Sequence, residues 1–284
     1  MRKGILLLLL LVTAVAAQAD HYADTYVIPI AGHTAGANGT TWMSDIAIRN
    51  FRTTPLDVQL IVIESGFDTF NNVFPLDTDD IDGTITIAPN STVLLRDALD
   101  DYRGLENVTG AVVLGASAPF AVTSRVYNNN MTVGQTVPAA RDFLDNTLEN
   151  ADNNGFAYVP GIISNSRART NVGFVAGAGP GAPMTVEISV RAGNGNVLGT
   201  RNITVNAGTF MQLQVPLSSI TTTQFEVGSV DFRVASGEGV VVPYASIIDN
   251  ASGAATYIMG TLPETTAATS RTESLFKRLL VSSF

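Results

Sequence analysis

The chain has 284 residues, 45% of them apolar and 14% charged, with no cysteine. That composition excludes a disordered chain, a disulfide-stapled miniprotein, thiol nucleophiles and thiolate metal sites, and leaves burial and backbone pairing to hold the fold. The formal charge of −9 describes a surface that repels phosphate backbones, so no nucleic acid is expected as a partner.

Arg2 and Lys3 precede the apolar run Ile5 to Val12, and Ala17-Gln18-Ala19 supplies the small residues signal peptidase needs. Residues 1–19 read as a signal peptide, because the run is shorter than the roughly 20 residues that span hydrocarbon. No cysteine stands at the cut, which closes the lipoprotein route. No later segment reads as a transmembrane helix. The reading is a mature chain that is secreted, periplasmic or associated with the cell envelope.

From Tyr26 onward the sequence repeats itself. Tyr26-Val27-Ile28-Pro29 returns as Tyr158-Val159-Pro160, and Ser44-Asp45-Ile46-Ala47-Ile48 as Thr170-Asn171-Val172-Gly173-Phe174. Val58, Leu60 and Val62 return as Val186, Ile188 and Val190. Further on, Ile85-Thr86-Ile87 matches Ile203-Thr204-Val205, and Gly110, Val112 and Leu114 match Gly228, Val230 and Phe232. The last landmark is Ser124 to Asn129 against Ala245 to Asn250. Such order predicts two homologous units, 26–139 and 157–263. Residues 140–156, rich in Asn and Asp, read as a linker with one helical turn near Asp142 to Leu148, and 264–284 as a tail.

Within each unit the apolar period is two, and Asn38-Gly39, Asp82-Gly83 and Gly193-Asn194-Gly195 carry turn chemistry. The expected fold is all-β: two tandem antiparallel β-sandwich domains, with a β-barrel as the alternative. The chain as a whole resembles secreted bacterial proteins built from tandem β-sandwich, immunoglobulin-like repeat domains. Some of these carry the same kind of Ser-Arg-x-Tyr-Asn segment seen at Ser124 to Asn128. The resemblance implies the fold and transfers no established activity.

The two units differ in their loops. The first has six extra residues in Ala31 to Trp42 and ten between Glu64 and Thr84, as the alignment offset falls from 132 to 126 and from 128 to 118. Strand alternation places these loops, Asp97 to Asn107 and Asn128 to Met131 at one end of the first sandwich. Functional residues concentrate on such elaborated loops. Residues 26–139 carry 12 acids and 5 bases, against 5 of each in 157–263. Asp77, Asp79, Asp80 and Asp82 form a candidate calcium site, and Asp97, Asp100 and Asp101 a second acidic group. The competing reading of the first group is a solvated hairpin, favoured because Ala88 stands where a bidentate glutamate belongs. Trp42, the single tryptophan, with Phe67, Phe70, Phe74 and Tyr102, forms either a stacking platform for a sugar ring or partner side chain, or a cap on the core; packing is the favoured role.

Catalytic signatures are sparse. His21 lies near the mature N-terminus, His33 reads as a loop residue, and no Gly-x-Ser-x-Gly elbow occurs. Leu262-Pro263-Glu264-Thr265 departs from a wall-sorting motif at Thr266, and Leu275, Phe276, Leu279 and Leu280 give the tail an amphipathic helical spacing. The resulting expectation is a non-enzymatic binding or structural protein whose first-unit loop end meets a protein or glycan. No catalytic residue and no required cofactor is assigned, calcium being the one candidate. Two alternatives stand beside it: a carbohydrate-active hydrolase using loop carboxylates, and a self-associating filament or surface-layer subunit.

Overall fold

The computed structural model describes residues 23–35, 39–64, 83–130, 134–141, 156–179 and 181–261. The proposed signal peptide, most of the linker, the tail, and the segment holding Phe67, Phe70, Phe74, Asp77, Asp79, Asp80 and Asp82 lie outside the described residues.

The described residues are all-β, and every pairing is antiparallel. The first half runs β1 (Ala23–Ala35), β2 (Thr41–Arg49), β3 (Leu56–Glu64), β4 (Thr84–Ile87), β5 (Thr92–Leu95), a short helix α1 (Asp100–Arg103), β6 (Val108–Asn128), β7 (Gly134–Val137) and β8 (Ala140–Arg141). The second half runs β9 (Phe156–Ser164), β10 (Ala168–Ala178), β11 (Met184–Ala192), β12 (Val197–Val205), β13 (Phe210–Pro216), a 3-10 turn (Leu217–Ser219), β14 (Phe225–Ser236), β15 (Gly239–Asp249) and β16 (Ala255–Met259). Among the described residues, no helix is long and apolar enough to cross a membrane. Ala140 and Arg141, at the start of the expected linker, pair with Val27 and Tyr26, and Phe156 at its end already belongs to β9.

The second half is a sandwich of two four-stranded sheets, ordered β12-β11-β14-β9 and β13-β10-β15-β16. In the first half one strand serves both layers. The early part of β6 lies between β1 and β3, and its late part between β2 and β7. Six pairings therefore have counterparts in the two halves: β3 with β4 as β11 with β12, β3 with β6 as β11 with β14, β1 with β6 as β9 with β14, β2 with β5 as β10 with β13, β2 with β6 as β10 with β15, and β6 with β7 as β15 with β16. Where β6 continues, the second half turns at Gly237, whose φ of 77° suits a residue without Cβ. Immunoglobulin constant-type sandwiches place the first strand beside the second. Here β1 meets β2 only through Thr34 with Trp42 and Ala35 with Thr41, and otherwise pairs with β6 and β8.

Alternation along the strands builds the cores. Val58 and Leu60 of β3, Val112 and Leu114 of β6, and Ile46 and Ile48 of β2 meet inside the first half. Val186, Ile188 and Val190 meet Val172, Phe174, Val230 and Phe232 inside the second. The remaining face is also apolar. Val27, Ile63, Ala111 and Val113 pack against Val175, Phe210, Val240 and Val242, so the two halves stack sheet against sheet. Four layers result, with Tyr244 and Tyr257 of the second half joining the buried cluster of the first.

Candidate functional site

The flanks of the elaborated loops lie close together. The amide of Asn129 donates to the Thr41 carbonyl (2.8 Å), Trp42 pairs with Asn128, His33 pairs with Val108, and the Arg103 guanidinium lies against Gly83. Trp42 is half-buried and packs against the first-half core. Tyr102 belongs to α1 beside the same loops.

What the sequence alone did not reveal is how two adjacent residues of β2 organise this end. The Ser44 hydroxyl accepts from the Gly32 amide (2.7 Å) and donates to the Gly32 carbonyl (3.1 Å), fixing the strand that carries His33. The Ser44 carbonyl accepts from the Ala98 amide (2.7 Å). Asp45 is buried and sits directly across from Arg125 on β6. Its Oδ2 accepts from Arg125 Nε (3.0 Å) and Nη2 (2.6 Å), while Oδ1 accepts from the Tyr127 hydroxyl (2.8 Å) and the Asp97 amide (3.1 Å). The guanidinium of Arg125 also lies 4.7 Å from the Tyr127 ring centroid, a cation–π contact.

These contacts set the protonation states. Burial acts to raise the Asp45 pKa, but the hydrogen bonds from Arg125, the Asp97 amide and Tyr127 outweigh it and hold the carboxyl below its usual range. Burial and the Asp45 carboxylate push the Tyr127 phenol up to about 12. The hydroxyl therefore stays a donor at any physiological pH.

Asp97 is thereby held in place by its own backbone. Its φ of 43° is left-handed, a conformation that Asp tolerates better than most residues. Its Oδ2 lies 2.7 Å from His33 Nδ1, and Asp100 Oδ2 lies 3.8 Å from the same nitrogen. Among the described residues, His33, Asp97 and Asp100 form a group whose possible ligand atoms all lie within 4.8 Å of one another. Asp97 is 3% exposed, and its Oδ1 is buried with no hydrogen-bond partner. Burial raises the Asp97 pKa; His33 opposes the shift, and the charges of Asp100 and Asp101 add to it. His33 is thus part of a carboxylate cluster, where the sequence suggested only a loop residue. The signal available was an acid-rich loop and a histidine-bearing loop assigned to the same end.

The second half repeats the clip and omits the cluster. The Thr170 hydroxyl donates to the Ile163 carbonyl (2.6 Å) and accepts from its amide (3.3 Å), as Ser44 does with Gly32. At the positions of Asp45 and Arg125, however, Asn171 faces Ser246, and Ile248 takes the place of Tyr127. Leu217 stands two residues past Val215, the partner of Val172, as Asp97 stands two past Leu95, the partner of Ile46. The clip occurs in both halves, and at these positions the charged network stands in the first alone.

A cavity of about 300 Å³ opens elsewhere, where the halves meet. It is lined by Ile30 and Thr109 from the first and by Asn171, Gln212, Gln214 and Pro216 from the second. Its lining is neutral.

An ionised Asp97 is a burden on the isolated fold. Because its folded pKa lies above the unfolded value near 3.8, its contribution to stability is present at acid pH and is lost as pH rises through the folded value. Asp97→Asn keeps an acceptor for His33 and tolerates positive φ. It is expected to raise the stability of the protein at neutral pH by on the order of 1 kcal/mol, with the gain shrinking toward acid pH. Urea unfolding at two pH values measures this, and a destabilised variant at neutral pH would refute it.

No family model and no curated protein matches the chain. Two solved structures of Bacteroides uniformis beta-glucuronidase 2 are similar over part of their length, one covalently bound to cyclophellitol-6-carboxylate aziridine and one a calcium-binding mutant. Identities are 11% and 10%, over 78% and 85% of this chain, with TM-scores of 0.20 and 0.19. This chain spans only 26% and 28% of theirs, and so slight a likeness carries no argument about fold or activity.

Proposed function

We propose that the protein is an exported, non-enzymatic binding protein made of two duplicated sandwich domains, with the loop end of the first domain as its binding face and a protein or glycan outside the cytoplasm as its partner. The duplication is supported by the six recurring pairings and the shared hydroxyl clip. The observation that carries the binding face is the asymmetry between the halves. Asp45, held by Arg125 and Tyr127, braces the turn that carries Asp97 beside His33 in the first half, whereas Asn171, Ser246 and Ile248 stand at the matching positions of the second. A charge buried at one end of one domain carries a desolvation cost, and finding it only on the side of the longer loops supports a role at those loops.

The face is acidic, so the partner should present cationic or hydrogen-bond-donating groups. Asp101 and Glu106 are exposed on this face, and neither belongs to the cluster around His33. Replacing both with lysine should sharply reduce retention on immobilised glycans or surface proteins of the producing cell. Glu238→Lys, at the exposed turn between β14 and β15, should leave retention unchanged. Equal retention by the double variant and wild type would reject the face.

A further inference from the structure

We propose that His33, Asp97 and Asp100 form a binding site for one first-row divalent transition-metal ion of the zinc class. Two observations carry this independently. One is the donor set, an imidazole nitrogen and two carboxylates gathered from β1, the turn after β5, and α1. The other is the Asp97 carboxylate, whose side chain is 4% exposed and whose Oδ1 has no hydrogen-bond partner. A buried carboxylate oxygen without a donor is costly, and a cation held by both oxygens of the Asp97 carboxylate would satisfy it.

The spacing suits such an ion. Ligand atoms about 2.1 Å from a metal stand roughly 3.0–3.4 Å apart in octahedral or tetrahedral arrangement. The Nδ1 of His33 lies 2.7 Å from Asp97 Oδ2 and 3.8 Å from Asp100 Oδ2, distances that straddle that range and require only small side-chain adjustments. His33 Nδ1 offers its lone pair once the ring proton resides on Nε2. An imidazole in the set disfavours calcium and magnesium, which prefer oxygen ligands throughout. The site is anchored on one side and open on the other. Asp97 is pinned through its amide by Asp45, while the His33 and Asp100 side chains are 20% and 34% exposed. Three protein ligands and an open side leave coordination positions for water or a donor atom from outside, as in exchangeable rather than purely structural sites.

This inference goes beyond the partner-binding reading and does not require it, because the free protein is the reagent. Full-length mature protein, stripped with chelator, is titrated calorimetrically with Zn²⁺ and in parallel with Ca²⁺, and the bound metal is counted by mass spectrometry. One Zn²⁺ per chain is expected, with no heat from Ca²⁺. Affinity for Zn²⁺ should fall at least about tenfold in each of His33→Gln, Asp97→Asn and Asp100→Asn, with folding checked by thermal unfolding. Asp101→Asn, adjacent in sequence but outside the group, should bind like wild type. Failure of the folded wild-type protein to take up Zn²⁺ stoichiometrically, uptake unaffected by the three substitutions, or an equal loss in Asp101→Asn would overturn the assignment.

Discussion

Tyr244→Ala is expected to lower stability by about 4 kcal/mol and to split a single unfolding transition into two. Tyr244 is fully buried on β15, yet it belongs to the core cluster of the first half. Its hydroxyl accepts from Gln212 Nε2 (2.6 Å), and its ring tilts against Tyr257 with centroids 5.7 Å apart. It also covers Gly173 on the neighbouring strand, where an added Cβ would stand 2.5 Å from both the Leu213 carbonyl oxygen and the Tyr244 ring. The alanine variant thus loses a large buried ring, leaves the Gln212 amide without this acceptor, and opens a void between the halves. Each half keeps its own interior cluster, so each can melt alone once the contact between them is weakened. Differential scanning calorimetry distinguishes the outcomes. One transition with an unchanged midpoint would show that Tyr244 does not couple the halves.

Asp45→Ala is expected to cost about 3 kcal/mol at neutral pH, the second largest effect, and to disorder the turn that carries Asp97. Four donor atoms converge on this carboxylate, two from Arg125 and one each from Tyr127 and the Asp97 amide. Arg125 is half-exposed and recovers water when released, which keeps the loss below that of a fully buried pair. Tyr127 and the Asp97 amide recover much less. The pH dependence follows from the lowered pKa of Asp45. Its contribution is fully present above the unfolded value near 3.8 and is lost as pH falls through the lower folded value. Wild type and variant should therefore converge in stability only in strongly acid solution. Urea titrations across that range give the test, and a stability difference independent of pH would show that the carboxylate charge is not what matters.

The strands were legible because their chemistry is local. Alternation in Val58 to Val62 and Val186 to Val190, and turn residues such as Gly193-Asn194-Gly195, report the pleat without knowledge of what lies opposite. The stacking of the halves was not legible. Val27, Val113, Val240 and Val242 make the outer face apolar as well, and sequence does not tell a buried outer face from a strand with high β propensity.

The cluster around His33 failed to show for a related reason. Asp45 lies 80 residues from Arg125, and His33 lies 64 from Asp97, so their meeting depends on register and loop path. The segment Ser124 to Asn129 recurs as Ala245 to Asn250, but its partner on β2 emerges only when Asp45 is set against Arg125. The aromatic and calcium readings of the long loop after β3 fall on residues outside those described.

The 21-residue strand β6 has a kinetic consequence. Both sheets of the first half are built around it, its early part between β1 and β3 and its late part between β2 and β7. Until it is available, the preceding strands have only hairpin-scale ladders, such as β2 with β5 and β3 with β4, which are marginal in water. Assembly of the first half must therefore wait for residues near 128 and is dominated by distant partners, which makes it slow. A chain leaving a ribosome or a translocation pore would stay extended and threadable for more than a hundred residues, and then close both layers around one late arrival.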